Sequence, residues 1–350
     1  MRIPEFFDPA KARVFSYAPD YEILRKEASR VVGTPSEGLF QRAHPRVLFL
    51  GVDCQKDFCF PEGRLYVGGR SGTGAMDDMV RIAEFLYRNA ETISKTIMTM
   101  DTHELFQIFH PAFWIDRETD TFVRPYTEIT VDDLPETPGG AGKYVPNPHI
   151  VDEVFGGSYG AFLQQVRFYC RQLEAKGKYT LMVWPEHCLM GSDGHPLVGI
   201  IEEAVTFHGL LRHTRPHLQI KGGHPLTENY SVFSPEVREL FTGDPLINES
   251  HEQFVQHVLS YDAIVIAGEA GSHCVKSSLD DLIEIVKGRN PADLRKIYLL
   301  EDCTSAVTVP DGKGGFCVDY TQPMEGAFAR YRQDIHVVRS TDPMEAWLEL

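Results

Sequence analysis

From Arg46 onward the chain alternates short apolar, often β-branched runs with segments whose apolar residues recur at helical spacing. Residues 47–52, 96–100, 180–184, 218–220, 263–267, 297–300 and 335–338 read as strands. Between them, Met76, Met79, Val80, Ala83 and Leu86 mark one helix face, Phe162, Val166, Tyr169 and Leu173 a second, and Val275, Leu279, Leu282 and Val286 a third. Strand followed by helix, repeated without an internal duplication, predicts an α/β fold. Its form is a doubly wound, mostly parallel sheet in three layers, with helices over both faces.

Three stretches fall outside this alternation. Residues 1–45 precede the first strand as an irregular or partly helical extension, in which Tyr21–Val32 is the best helix candidate. Residues 115–157 are rich in Pro, Gly and acidic side chains and lack periodicity, so they read as a long loop inserted into a domain spanning 46–350. Loops of that length inside a compact domain are usually functional or mobile. Residues 309–317 are glycine-rich and predict a turn or flap.

Composition narrows the function classes. At 350 residues, 43% hydrophobic and 24% charged, the chain supports a substantial core and disfavours disorder, collagen and coiled coil, which favours one decorated domain. Its net charge of −16 repels nucleic acid and acidic membranes. No run approaches the roughly 18 apolar residues of a membrane span, and the first ten residues lack a basic segment followed by an apolar one. A small-molecule substrate, no nucleic-acid or membrane partner, a cytoplasmic location and a homo-oligomer are the resulting expectations. The seven cysteines are odd in number and scattered, as expected of free thiols.

In open parallel sheets the working groups gather beyond the carboxyl ends of the strands. There the sequence places Asp53, then Asp101 and His103, then His187, Lys221 and Cys274. Cys274 follows a strand and a small-residue turn and opens a helix, where the positive end of the helix dipole favours thiolate. Asp101 and His103, two residues apart in extended chain, point to the same side and can share one ion. With His187, and His110 further along the loop, two histidines and a carboxylate suit a catalytic Zn²⁺ or Fe²⁺. Phe58, Trp184 and Tyr230 are candidate aromatic walls.

Seven stretches together resemble the nicotinamidase branch of the isochorismatase-like cysteine hydrolases. They are Val52 to Phe58, Asp101-Thr102-His103 with His110, Trp184 to Cys188, Ile220 to Gly223, Tyr230 to Phe233, Gly268 to Cys274, and Leu300 to Ala306. They occur in the family's order over roughly 46–340. The resemblance implies a catalytic triad of Asp53, Lys221 and Cys274, and an oxyanion hole of the Ala270 and Cys274 amides, with Glu269-Ala270 at the family's cis peptide. It further implies one divalent metal ion on Asp101, His103 and His187, with His110 as an additional ligand, no organic cofactor, and Phe58 and Trp184 against a substrate ring. The implied reaction is hydrolysis of nicotinamide to nicotinate and ammonia through a thioester on Cys274. The chain departs from the family at Thr102, at Gly271-Ser272 and in its length. A same-fold hydrolase of another small amide, carbamoyl or maleamate-like, is the main alternative. A non-haem iron oxygenase leaves Cys274 and Lys221 unused, and a non-catalytic binding protein leaves the whole triad unused.

Overall fold

Six strands, β1 (Val47–Val52), β2 (Ile93–Asp101), β3 (His217–Lys221), β4 (Ala263–Gly268), β5 (Ile297–Leu300) and β6 (His336–Val338), form the central sheet of a computed structural model describing residues 1–32, 45–177, 179–246 and 249–348. Their order is β6-β5-β4-β1-β2-β3, and every neighbouring pair is parallel. The sheet is thus the expected doubly wound one, wholly parallel.

Alternate residues of β1 enter two separate cores. Val47 and Phe49 pack beneath α1 (Tyr21–Val32), α2 (Gly74–Arg88), α3 (Tyr159–Lys176) and α4 (Gly199–Arg212). Leu48, Leu50 and Val52 pack beneath α5 (Glu249–Leu259), α6 (Cys274–Arg289) and α7 (Thr321–Tyr331). Burial on both faces is why β1 and β4 are continuous apolar runs with every residue buried. The expected helix at Tyr21–Val32 is present; part of the N-terminal extension, 33–44, lies outside the described residues.

Two expectations need correction. The apolar run at 180–184 does form a strand, Leu181–Val183, but it lies outside the parallel sheet and pairs antiparallel with Thr127–Ile129. Its partner comes from the inserted segment, whose own sequence carries no strand periodicity. That segment is not a featureless loop. Trp114–Asp116 is the centre of a three-stranded antiparallel sheet with Thr121–Phe122 and Tyr144–Pro146, and Phe113 and Trp114 are fully buried. Residues 309–317 fall in a hairpin of Thr308–Pro310 and Phe316–Asp319.

Candidate active site

The chain runs from β1 to one side of the sheet and returns to β4 on the other, so a crevice opens beyond the carboxyl ends of β1 and β4. Asp53 directly follows β1, Asp101 ends β2, Lys221 ends β3, and Cys274 opens α6 after the turn that follows β4. Asp101 and Lys221 are register partners, which directs both side chains to one side. The Lys221 ammonium lies 2.9 Å from Asp53 Oδ2, 2.9 Å from Asp101 Oδ1 and 3.7 Å from Cys274 Sγ, and donates to the Asn229 carbonyl at 2.8 Å. All four of these side chains are buried. The sequence-predicted triad is therefore assembled around one cation.

Neighbouring groups fix this geometry. The Thr99 hydroxyl donates to Asp53 Oδ1 and accepts from the Asp53 N–H at 2.9 Å. Gln55 clamps the Asp101 backbone, its amide donating to the Asp101 carbonyl at 2.8 Å and its oxygen accepting the Asp101 N–H at 2.7 Å. Two glycines permit close approach. A Cβ at Gly268 (φ +122°) would meet the Val52 carbonyl oxygen at 2.0 Å, and one at Gly222 (φ +85°) would meet His103 Cε1 at 2.6 Å.

At Cys274 burial acts against the helix dipole. Burial, with Asp53 and Asp101 nearby, pushes the thiol well above its ordinary value, although Lys221 pulls it down. The protonated thiol is thereby favoured, and a base would be needed to draw off its proton. Asp53 is the carboxyl group within reach: it accepts a hydrogen bond from the thiol, and burial raises its own carboxyl against the opposing pull of Lys221.

Beside the triad stand the sequence-predicted metal ligands. One ligand atom each from Asp101, His103 and His187 lies within 4.8 Å of the other two. Each imidazole places Nδ1 on a carbonyl: His103 on Gly222 at 3.0 Å, His187 on Pro185 at 2.7 Å, and His110 on Leu105 at 3.2 Å. Nδ1 is then the donor, which leaves the Nε2 lone pairs free, the arrangement that orients histidine ligands in metal sites. The Nε2 atoms of His103 and His110 are buried without a hydrogen-bond partner. His103 Nε2 faces Asp101 Oδ2 at 3.0 Å and His187 Nε2 faces it at 3.8 Å. Asp101 pulls His103 up towards the imidazolium, whose Nε2 proton then bridges the two, and a divalent ion would take the place of that proton. Donors on a tetrahedral Zn²⁺ lie about 3.4 Å apart, so the residues fit such an ion. Burial and the neighbouring imidazoles lower His187 to about 4 and His110 to about 2, which keeps both rings neutral as ligands must be. His110 is in ring contact with His103 and His187 but lies outside the three-residue set.

Phe58, Trp184 and Tyr230 do line the same cavity as Cys274, with Trp184 Nε1 donating to the Tyr230 hydroxyl at 2.8 Å. Sequence reasoning missed Leu65, Val307, His273 and Glu228, which line it too. Glu228 follows Lys221 by seven residues in a loop without periodicity; only its proximity in the fold marks it. The inserted segment also reaches the site: the Tyr126 N–H donates to the Val183 carbonyl at 2.6 Å, and its ring meets Trp184 edge-on at 6.1 Å.

Behind the turn bearing Ala270, whose peptide with Glu269 is cis, lies a buried pair of carboxyl groups. Asp78 accepts from Arg81 at 2.6 Å and from the Ser305 hydroxyl, which favour its charged form against the burial that raises it. Burial, then the Asp78 carboxylate, raises Glu269 well above the ordinary carboxyl range, which favours its protonated form. The folded protein thus holds a proton that the unfolded chain releases above about 4.5. This contribution to stability is full below that pH and is lost as pH rises toward the raised value. Glu269→Gln, which keeps a neutral donor, is expected to flatten the fall in melting temperature between about pH 5 and 8. A slope equal to wild type would show that Glu269 does not carry the proton.

No family model matches the chain, and no curated protein matches it in sequence. Solved structures resemble it in fold alone. In fold, the chain is similar to nicotinamidases and related amidases. The yeast nicotinamidase Pnc1p bound to the inhibitor nicotinaldehyde is 17% identical over 84% of this chain and 99% of that one, with a TM-score of 0.49. Pyrazinamidase of Pyrococcus horikoshii in complex with zinc is 16% identical over 84% and 99%, at 0.43. N-carbamoylsarcosine amidase from Thermoplasma acidophilum is 15% identical over 85% and 99%, at 0.38. Among the described residues no helix is long and apolar enough to cross a membrane.

Proposed function

We propose that this chain is a cysteine amidohydrolase of small carboxamides, with nicotinamide, hydrolysed to nicotinate and ammonia, as the first candidate. The observation that carries the reading is the buried Lys221 ammonium in contact with Asp53, Asp101 and Cys274 at once. A surface role does not require one cation to join two carboxylates and a thiol out of water, where each charge is costly to bury unless paired.

In this reading Asp53 takes the thiol proton while Lys221 stabilises the thiolate as it forms, giving an activated nucleophile and base. Cys274 Sγ attacks the amide carbon, and the backbone N–H groups of Ala270 and Cys274 receive the oxyanion. Asp53 returns its proton to the departing nitrogen, and ammonia leaves as the thioester forms. Asp53 then draws a proton from water, whose oxygen attacks the thioester; the C–S bond breaks, the acid leaves, and Asp53 returns the proton to the Cys274 sulfur. Phe58 and Trp184 hold the ring or acyl part. Asp101, His103 and His187, with His110 as an additional ligand, would hold a divalent ion, Zn²⁺ or Fe²⁺, which supplies a Lewis-acid contact that orients a ring nitrogen or its water. An iron oxygenase leaves the Lys221–Cys274 pair without a task. A cytoplasmic homo-oligomer completes the proposal, readable by fractionation and light scattering.

The test is an ammonia-release screen over primary amides that includes nicotinamide, carbamoyl compounds and maleamate. Equal amounts of ammonia and acid from at least one amide, lost in Cys274→Ala, support the reading. Ammonia from none of them would remove it.

A further inference from the structure

The cavity that holds Cys274 has a volume of about 20 Å³, room for roughly one water molecule. A cleft of about 540 Å³, in the range of small-molecule sites, shares two of its walls, Leu65 and Val307. Three segments build this cleft: the glycine-rich loop after Phe58, the Thr308–Asp319 hairpin, and Tyr126 from the inserted segment. The rings of Tyr66, Tyr126 and Phe316 line it, those of Tyr126 and Phe316 being exposed to solvent. Arg64 and Arg70, both exposed, belong to its lining as well. Arg70 is held by Asp319 at 2.8 Å, whereas the Arg64 side chain has no partner among the described residues. Tyr126 ties cleft to cavity, because its ring also contacts Trp184.

We propose that the substrate of this chain is an extended carboxamide, whose amide end enters the Cys274 cavity while an aryl or apolar spacer lies in the cleft and a terminal anion meets Arg64. This deepens the amidohydrolase reading and rests on it. The inner cavity is small and lined by Phe58 and Trp184, so the amide and the group that carries it fill it, and any further bulk of a ligand belongs where there is room, aromatic surface and an unpaired cation. In a chain of net charge −16, a guanidinium left unpaired beside a cleft is a local site for an anion. A carboxylate and a phosphate share the chemistry that a guanidinium recognises, two oxygens matched to its paired N–H groups.

The experiment compares four amides on one pyridine ring: the bare carboxamide, and rings bearing a neutral, a carboxylate-ended or a phosphate-ended chain away from the amide. Wild-type kcat/KM is expected to be about tenfold or more higher for an anionic chain than for the neutral one, and the better anion identifies the source. Arg64→Ala should bring the anionic-to-neutral ratio close to one, and Arg64→Lys should restore part of it. A second measurement, calorimetric binding of the same four amides to Cys274→Ser protein, should show the same ratio and the same dependence on Arg64. Ammonia release that is indifferent to the chain, or a ratio unmoved by Arg64→Ala, overturns the cleft proposal while leaving the amidohydrolase reading intact. Chain-dependent binding without ammonia from any amide overturns the hydrolysis and keeps the cleft.

Discussion

Replacing Cys274 with alanine is expected to lower ammonia release by about 10⁴-fold or more, because the covalent path loses its nucleophile and the remaining groups act only by binding. The fold should survive. The substitution removes one sulfur from a side chain at the cavity wall, next to Lys221, which keeps Asp53, Asp101 and the Asn229 carbonyl as partners. Lys221→Ala is a poorer probe, since it leaves two buried carboxylates facing each other without their cation. Stopped reactions of the wild type should show a mass increase equal to the acyl group on Cys274. Cys317, exposed on the hairpin, would take up a general alkylating reagent first, so labelling is best done in a Cys317→Ser background. Turnover by Cys274→Ala at the wild-type rate, or an acyl group on any other cysteine, would overturn covalent catalysis at this position.

The second large effect concerns the ion site. One divalent ion per chain is expected by elemental analysis, and anomalous scattering should place it among Asp101, His103 and His187. Removing it with a chelator should lower the melting temperature by about 5 °C, since a ligand at 100 times its Kd stabilises by about 2.7 kcal/mol. His187→Ala is the cleaner variant, because Asp101 also partners Lys221 and its loss disturbs both sites. The His187 variant should hold the ion at least tenfold more weakly, and His110→Ala should weaken it further only if that Nε2 is also a ligand. Unchanged metal content and melting temperature in His187→Ala would refute the assignment.

Much of the architecture was legible along the chain. A strand buried on both faces must be a continuous apolar run, as Val47–Val52 is, and a helix lying on a sheet must repeat its apolar face, as Met76, Met79 and Ala83 do. Because such a sheet collects its working groups at one end, the sequence alone pointed to Asp53, Asp101, Lys221 and Cys274 as neighbours, although 221 residues separate the first from the last. What it did not carry were quantities set by three-dimensional proximity. Leu181–Val183 left the parallel sheet because its partner, Thr127–Ile129, belongs to a segment with no periodicity to announce it. The thiol of Cys274 is pushed up by burial and two carboxylates against the pull of Lys221, and burial is not a local property of sequence. Glu269 is raised by a carboxylate 191 positions away, and Arg64 lines a cleft shaped by a hairpin more than 240 positions further on. Residue type and spacing determined the fold and the chemical inventory of this protein. Only the tertiary structure decided protonation states, cavity volumes and which loops meet at the site, because each depends on groups that the chain brings together only on folding.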